Sequence, residues 1–118
     1  MKLAGFVPLS LCDYPGQVAA VVFTQGCNFR CPWCHNGHLL PLIGTVAGII
    51  SEDEVMDVVD RRRRLLGGVV VSGGEPTLQA DLPRFMLRLK ELGLSVKLDT
   101  NGTRPAVLKL LIAESLVD

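Results

Sequence analysis

The sequence predicts an α/β fold, a parallel sheet of alternating strands and helices, and three observations carry that prediction. Apolar, β-branched runs occupy residues 18–24 and 69–71, and apolar and polar residues alternate over 94–98. Between these segments lie stretches with apolar residues at helical spacing, and strands separated by helices pair in parallel through right-handed crossovers. Three loops of unusual composition, at 27–36, 73–77 and 99–102, each follow a strand. Parallel strands deliver their carboxyl ends to one edge of the sheet, so the three loops are expected to converge there.

Each element has its own local reason. Val18-Ala-Ala-Val-Val-Phe-Thr24 suits a strand covered on both faces, and it ends at Gln25-Gly26. A connection of about 25 residues follows, of a length that is usually functional. Ser51 with Glu54 forms a capping-box signature, and Val55, Val58 and Val59 begin an apolar helical face. Arg61 to Arg64 complement the negative end of that helix and read as its solvated terminus. After Gly67-Gly68, Val69 to Val71 make a second strand. A second helix is expected from an Asp81 N-cap, with Leu82, Phe85, Met86, Leu89 and Leu92 as its core stripe and Gly93 as its stop. Leu94, Val96 and Leu98 alternate into a third strand, Pro105 opens a third helix at an N1-like position, and Leu116-Val117 reads as the start of a fourth strand.

Composition narrows the functional classes. The 118 residues carry 12 Lys+Arg against 12 Asp+Glu, a formal net charge of zero, and 48% are hydrophobic. No surplus of cations is available for a phosphate backbone, so no nucleic-acid partner is expected, and the apolar content excludes a disordered tail. A chain of this length buries roughly two-thirds of its unfolded surface, enough for one core, so residues 1–118 are expected to form a single domain. The apolar N-terminus is broken by Pro8 and no small-residue cleavage site follows, so no export signal is read. Cys12 follows the bulky Leu11, which disfavours lipidation, and is expected to be a buried thiol. Residues 39–50, interrupted by Pro41, Gly44 and Gly48, are too short to span a bilayer. A cytoplasmic, reducing location with no membrane association is therefore expected.

The first loop concentrates the chemistry. Three of the four cysteines, Cys27, Cys31 and Cys34, form a Cys-x3-Cys-x2-Cys triplet. Three thiolates on one loop can hold three irons of a 4Fe–4S cube and leave the fourth iron open. Spacing alone also leaves a structural zinc held with His35, although Cys34 and His35 are adjacent where zinc pairs usually stand two to four residues apart. A dithiol at Cys31-Pro32-Trp33-Cys34 would leave Cys27 unexplained. In the second loop, Gly73 and Gly74 let a ligand approach the backbone and Glu75 offers an acceptor for a cationic group. The third loop presents Asp99 and Asn101, acceptors suited to a ribose or an ammonium. Singly, these two loops are ordinary turn signals.

Together, the loops resemble those of the radical S-adenosylmethionine (radical SAM) enzymes. That family combines a Cys-x3-Cys-x2-Cys loop, with an aromatic residue before the last cysteine, here Trp33, and a Gly-Gly-Glu strand end, here Gly73-Gly74-Glu75. Asp13-Tyr14-Pro15-Gly16, the stretch from Phe23 to Asn36, residues 72–79 and Asp99-Thr100-Asn101-Gly102 make the chain most similar to the activating type that acts on glycyl radical enzymes. The resemblance implies a 4Fe–4S cluster on Cys27, Cys31 and Cys34, with S-adenosyl-L-methionine chelated at the open iron and cleaved to a 5′-deoxyadenosyl radical. It implies that Gly73, Gly74 and Glu75 hold the methionyl ammonium, that Trp33 and His35 lie near the nucleoside, and that Asp99 and Asn101 help fix the cofactor. No general acid or base is implied beyond the cluster. The implied partners are a glycyl radical enzyme, with anaerobic ribonucleoside-triphosphate reductase foremost, and a flavodoxin- or ferredoxin-type electron donor. A radical enzyme for another small molecule or peptide, and an inactive iron–sulfur or metal-binding fragment, are the alternative readings. The implied fold is the first half of a partial, TIM-like radical SAM barrel, ending after the third helix. The family's fourth-strand Asp-x-Lys pair would fall beyond Asp118, so this half alone is expected to assemble its cluster poorly and to activate no partner. Gly37 stands where many members have Pro or Ser, a mild change in a turn.

Overall fold

A computed structural model describes Met1 and residues 3–25 and 51–118. Its described elements are β1 (Leu3–Ser10), β2 (Ala19–Thr24), α1 (Glu52–Arg62), β3 (Gly68–Gly73), a short 3-10 turn (Pro76–Leu78), α2 (Leu82–Glu91), β4 (Ser95–Leu98) and α3 (Pro105–Ala113). The sheet order is β1-β2-β3-β4. β2, β3 and β4 are parallel neighbours, with Val21 beside Val70 and Val70 beside Lys97, as the alternation of strands and helices requires.

The expectation of a wholly parallel sheet needs one correction. β1 pairs antiparallel with β2, Val7 lying opposite Val21, because only residues 11–18 separate the two strands and so short a connection suits an antiparallel return. The strand starts read from sequence otherwise fall within a residue of those observed. The predicted fourth strand does not form as an element: Leu116 packs into the core, and Asp118 N–H donates to the Val96 carbonyl (2.8 Å) in the manner of a single strand bond. The Asp118 carboxylate accepts from Val96 N–H (2.8 Å) and from Lys90 Nζ (2.6 Å), and the Lys90 bond holds its carboxyl below the usual aspartate range.

Strand alternation divides the core. Leu3, Ala20, Val22, Val69, Val71 and Val96 face the helices and pack with Val55, Met56 and Val59 of α1 and Leu82, Phe85, Met86 and Leu89 of α2. Each such fully buried leucine or phenylalanine contributes about 1.5–3 kcal/mol. Ala19, Val21 and Val70 point to the opposite face, where Tyr14 and Phe23 cover them. Ser51 and Asp81 occupy the N-cap positions expected of them, yet neither side chain makes a capping hydrogen bond. In α3 only Leu111 is buried, and Leu110 and Ile112 remain exposed, so its apolar run is less a core stripe than the sequence suggests.

Candidate functional site

The carboxyl ends of β2, β3 and β4 lie side by side, and hydrogen bonds tie the loops that leave them. At the end of β3, Gly74 N–H donates to the Thr24 carbonyl (3.1 Å), while Thr24 Oγ1 donates to the Ser72 carbonyl (3.2 Å). Gly73 adopts φ +110°, and a Cβ there would stand 2.3 Å from Thr24 N and 2.6 Å from Thr24 O. The absent side chain at Gly73 is therefore demanded by the neighbouring strand, a role in the fold beside the approach to a ligand read from the sequence. Gln79, in the same loop, donates from Nε2 to the Gln25 carbonyl (2.7 Å), two residues before Cys27. The entry to the cysteine loop is thus fastened to the loop after β3.

Glu75 is the main departure from the sequence reading. Read from the sequence as an acceptor for a cationic group, it has a side chain that is fully buried. The reason lies in the turn that follows: Glu75 is the N-cap of the 3-10 turn, Pro76 takes the first position, and the carboxylate accepts from Thr77 N–H (3.0 Å) and from the Thr77 hydroxyl. The same carboxylate reaches the loop after β4, accepting from the Thr100 hydroxyl and from Asn101 N–H (2.6 Å). Asn101 Oδ1 in turn accepts from Thr103 N–H (3.1 Å) and Oγ1 (2.6 Å). Asp99 N–H donates to the Val71 carbonyl (2.9 Å), and its half-exposed carboxylate pairs with Lys97 Nζ (3.1 Å).

Of the residues singled out in the sequence, the structure brings Gly73, Gly74, Glu75, Asp99 and Asn101 to one edge. Cys27, Cys31, Cys34, Trp33 and His35 lie outside the described residues. Thr77, Gln79 and Thr100 join the site and had not been assigned roles, because their bonds to Glu75 and Gln25 depend on contacts between separate loops. Cys12 is exposed, not buried; its turn is organised by Ser10 Oγ, which donates to Asp13 and accepts from Cys12 and Asp13 N–H (both 3.3 Å). The Asp13–Gly16 turn lies at the other end of the strands. There Tyr14 sits against Gly68, where a Cβ would meet its ring at 2.8 Å, and Lys97 Nζ donates to the Asp13 carbonyl (2.8 Å). Among the described residues no helix is long and apolar enough to cross a membrane.

Cys27, Cys31 and Cys34, which follow Gln25 in the sequence, would supply three thiolates to a cube with one open iron, and the ends of β3 and β4 carry backbone and side-chain acceptors. Comparison with known proteins agrees with that chemistry. The profile of the radical SAM superfamily matches residues 21–117. A protein of Methanocaldococcus jannaschii assigned as a glycyl-radical enzyme activating enzyme is 43% identical over 117 residues, 98% of this chain and 47% of that protein. The 7-carboxy-7-deazaguanine synthase of Aquifex aeolicus is 32% identical over 88 residues, 75% of this chain and 38% of that enzyme. The crystal structure of QueE from Escherichia coli superposes with a TM-score of 0.68 at 24% identity, covering 86% of this chain and 52% of that one, which establishes a shared fold. The chain spans about half the length of the first relative and of the structural neighbour.

Proposed function

The chain belongs to the radical SAM superfamily, and from that premise we propose that it belongs to a protein that generates a glycyl radical on a partner enzyme. The family implies a 4Fe–4S cluster and S-adenosylmethionine; when bound, they supply an electron that cleaves the sulfonium and a 5′-deoxyadenosyl radical that abstracts hydrogen. Cys27, Cys31 and Cys34 would hold three irons. Gly73 and Gly74 would offer backbone groups to the methionyl ammonium, Asp99 and Asn101 would fix the cofactor from the β4 loop, and Trp33 and His35 would flank the nucleoside. All of residues 1–118 would belong to this one domain.

The observation that carries the reading is the fastening of the cysteine loop's entry, at Gln25, to the loop that holds Gly73, Gly74 and Glu75. A metal-binding loop that begins at Gln25 would begin beside the glycine-rich strand end, so that an open iron could meet a ligand site there; a purely structural metal needs no such neighbour. The relative of 43% identity supports a glycyl radical enzyme as the target; the sequence resemblance makes anaerobic ribonucleoside-triphosphate reductase the first partner to test and a flavodoxin or ferredoxin the donor to try. A small-molecule substrate is the second reading, favoured by the similarity to 7-carboxy-7-deazaguanine synthase. The test is anoxic reduction of the cluster-loaded protein with S-adenosylmethionine and each candidate glycyl radical enzyme, read by electron paramagnetic resonance. The expected result is a glycyl doublet with one partner. Cofactor cleavage that yields no doublet with any partner would favour the small-molecule reading.

A further inference from the structure

Glu75 supplies the only ionisable side chain of the Gly73-Gly74-Glu75 strand end, and its carboxylate is already engaged by the protein. An ionised carboxylate offers about four lone-pair sites. Among the described residues four donors converge on this one: Thr77 N–H and the Thr77 hydroxyl at Oε2, Asn101 N–H at Oε1, and the Thr100 hydroxyl, which lies 2.9 Å from Oε1 and 2.8 Å from Oε2. The side chain has no exposed surface. A group meant to receive a ligand's ammonium would need a free, accessible lone pair.

Resting on the cofactor reading above, we propose that Glu75 is a positioning residue: it clamps the β4 loop to the end of β3, and so sets Asp99 and Asn101, instead of binding the methionyl ammonium. The separations support a clamp. Two of its donors come from residues 25 and 26 positions further along the chain, and the chain of bonds continues from Asn101 to Thr103, two residues before α3 begins at Pro105. The ammonium is then left to backbone groups of Gly73 and Gly74, which are tied to Thr24 of β2.

The experiment has one arm without any cofactor. In the isotopically labelled chain, the Asn101 amide is expected downfield and protected from exchange because it donates to a buried carboxylate. Glu75→Gln and Thr100→Val should both move it upfield and speed its exchange, while Thr100→Ser, which keeps the hydroxyl, should resemble the parent. In the second arm, the protein expressed from its native reading frame is loaded with its cluster and S-adenosylmethionine binding is measured. Thr100→Val should weaken it by about tenfold and Thr100→Ser by less than about twofold. An Asn101 amide unmoved by Glu75→Gln, or Thr100→Val binding the cofactor as the parent does, would overturn the clamp. Where Glu75→Gln does not fold, the two Thr100 variants decide the matter. A loaded parent protein that binds no S-adenosylmethionine would instead defeat the cofactor reading, an outcome recognised by an amide arm that still behaves as expected.

Discussion

Replacing Gly73 by alanine should be among the most damaging single-methyl additions this fold can receive. Two costs add. The residue sits at φ +110°, which side chains rarely adopt and which costs about 1–3 kcal/mol when imposed on a non-glycine residue. The new Cβ would also stand 2.3 Å from Thr24 N, 2.6 Å from Thr24 O and 2.8 Å from the Phe23 carbonyl carbon, all backbone atoms of β2 that cannot swing aside. Relieving that collision means parting β2 from β3 where Gly74 bonds to Thr24, an overpacking cost of about 1–3 kcal/mol. The total, about 2–6 kcal/mol, is a large share of the 5–15 kcal/mol that typically holds a domain together. Gly93 provides the internal control. Its φ is +82°, and nothing lies within 4 Å of its missing Cβ, so Gly93→Ala meets only the conformational cost, about 1–2 kcal/mol. Urea unfolding of both variants, with midpoints and slopes compared, makes the measurement. Gly73→Ala destabilising no more than Gly93→Ala would refute the claim that β2 dictates this glycine.

Further expectations follow from the same geometry. Glu75→Gln should cost about 1–3 kcal/mol of stability in denaturant unfolding, because its new amide turns donors toward donors in a buried site; a cost below about half a kcal/mol would contradict its buried, hydrogen-bonded role. Cys31→Ala should lose the cluster under anoxic reconstitution while Cys12→Ser, altering an exposed thiol outside the triplet, keeps full iron and sulfide; equal loss in both would sink the ligand assignment. Gln79→Ala should reduce iron loading by removing the Nε2 bond to the Gln25 carbonyl, checked by iron content per chain against the parent. The Asp118 carboxyl has its pKa lowered by the Lys90 hydrogen bond, so its stabilisation is present at neutral pH and is lost as pH falls from the unfolded value near 3.8 through the folded one. The parent's stability should therefore drop more steeply than that of Asp118→Asn below about pH 4, by under about 1 kcal/mol for so exposed a pair.

Much of the sheet was legible because its central strands are buried on both faces and so read as continuous β-branched runs, as at residues 18–24 and 69–71. β1 was not. Its Gly5 and Pro8 weaken the strand signal, and Pro8 is tolerated because an edge strand can forgo a ladder bond, near which the β1–β2 register shifts. The Gly73-Gly74-Glu75 end was legible as a local pattern, which is all that a turn needs. The burial of Glu75 was not, since it depends on Thr100 and Asn101, residues that meet it only once β3 and β4 lie side by side. The exposure of Cys12 was hidden for a similar reason: Ser10 and Asp13 form a surface turn in place of the core that a cysteine ordinarily seeks.

The central claim, an iron–sulfur cluster with one open iron beside a cofactor site, is tested most directly by Mössbauer spectroscopy of the protein expressed from its native reading frame and loaded with iron-57 under anoxia. The account predicts a 4Fe–4S spectrum in which one iron in four changes its parameters when S-adenosylmethionine is added, and in which Cys31→Ala shows no intact cube. Four irons indifferent to S-adenosylmethionine, or protein purified anoxically with one zinc per chain and no capacity for iron, would contradict it.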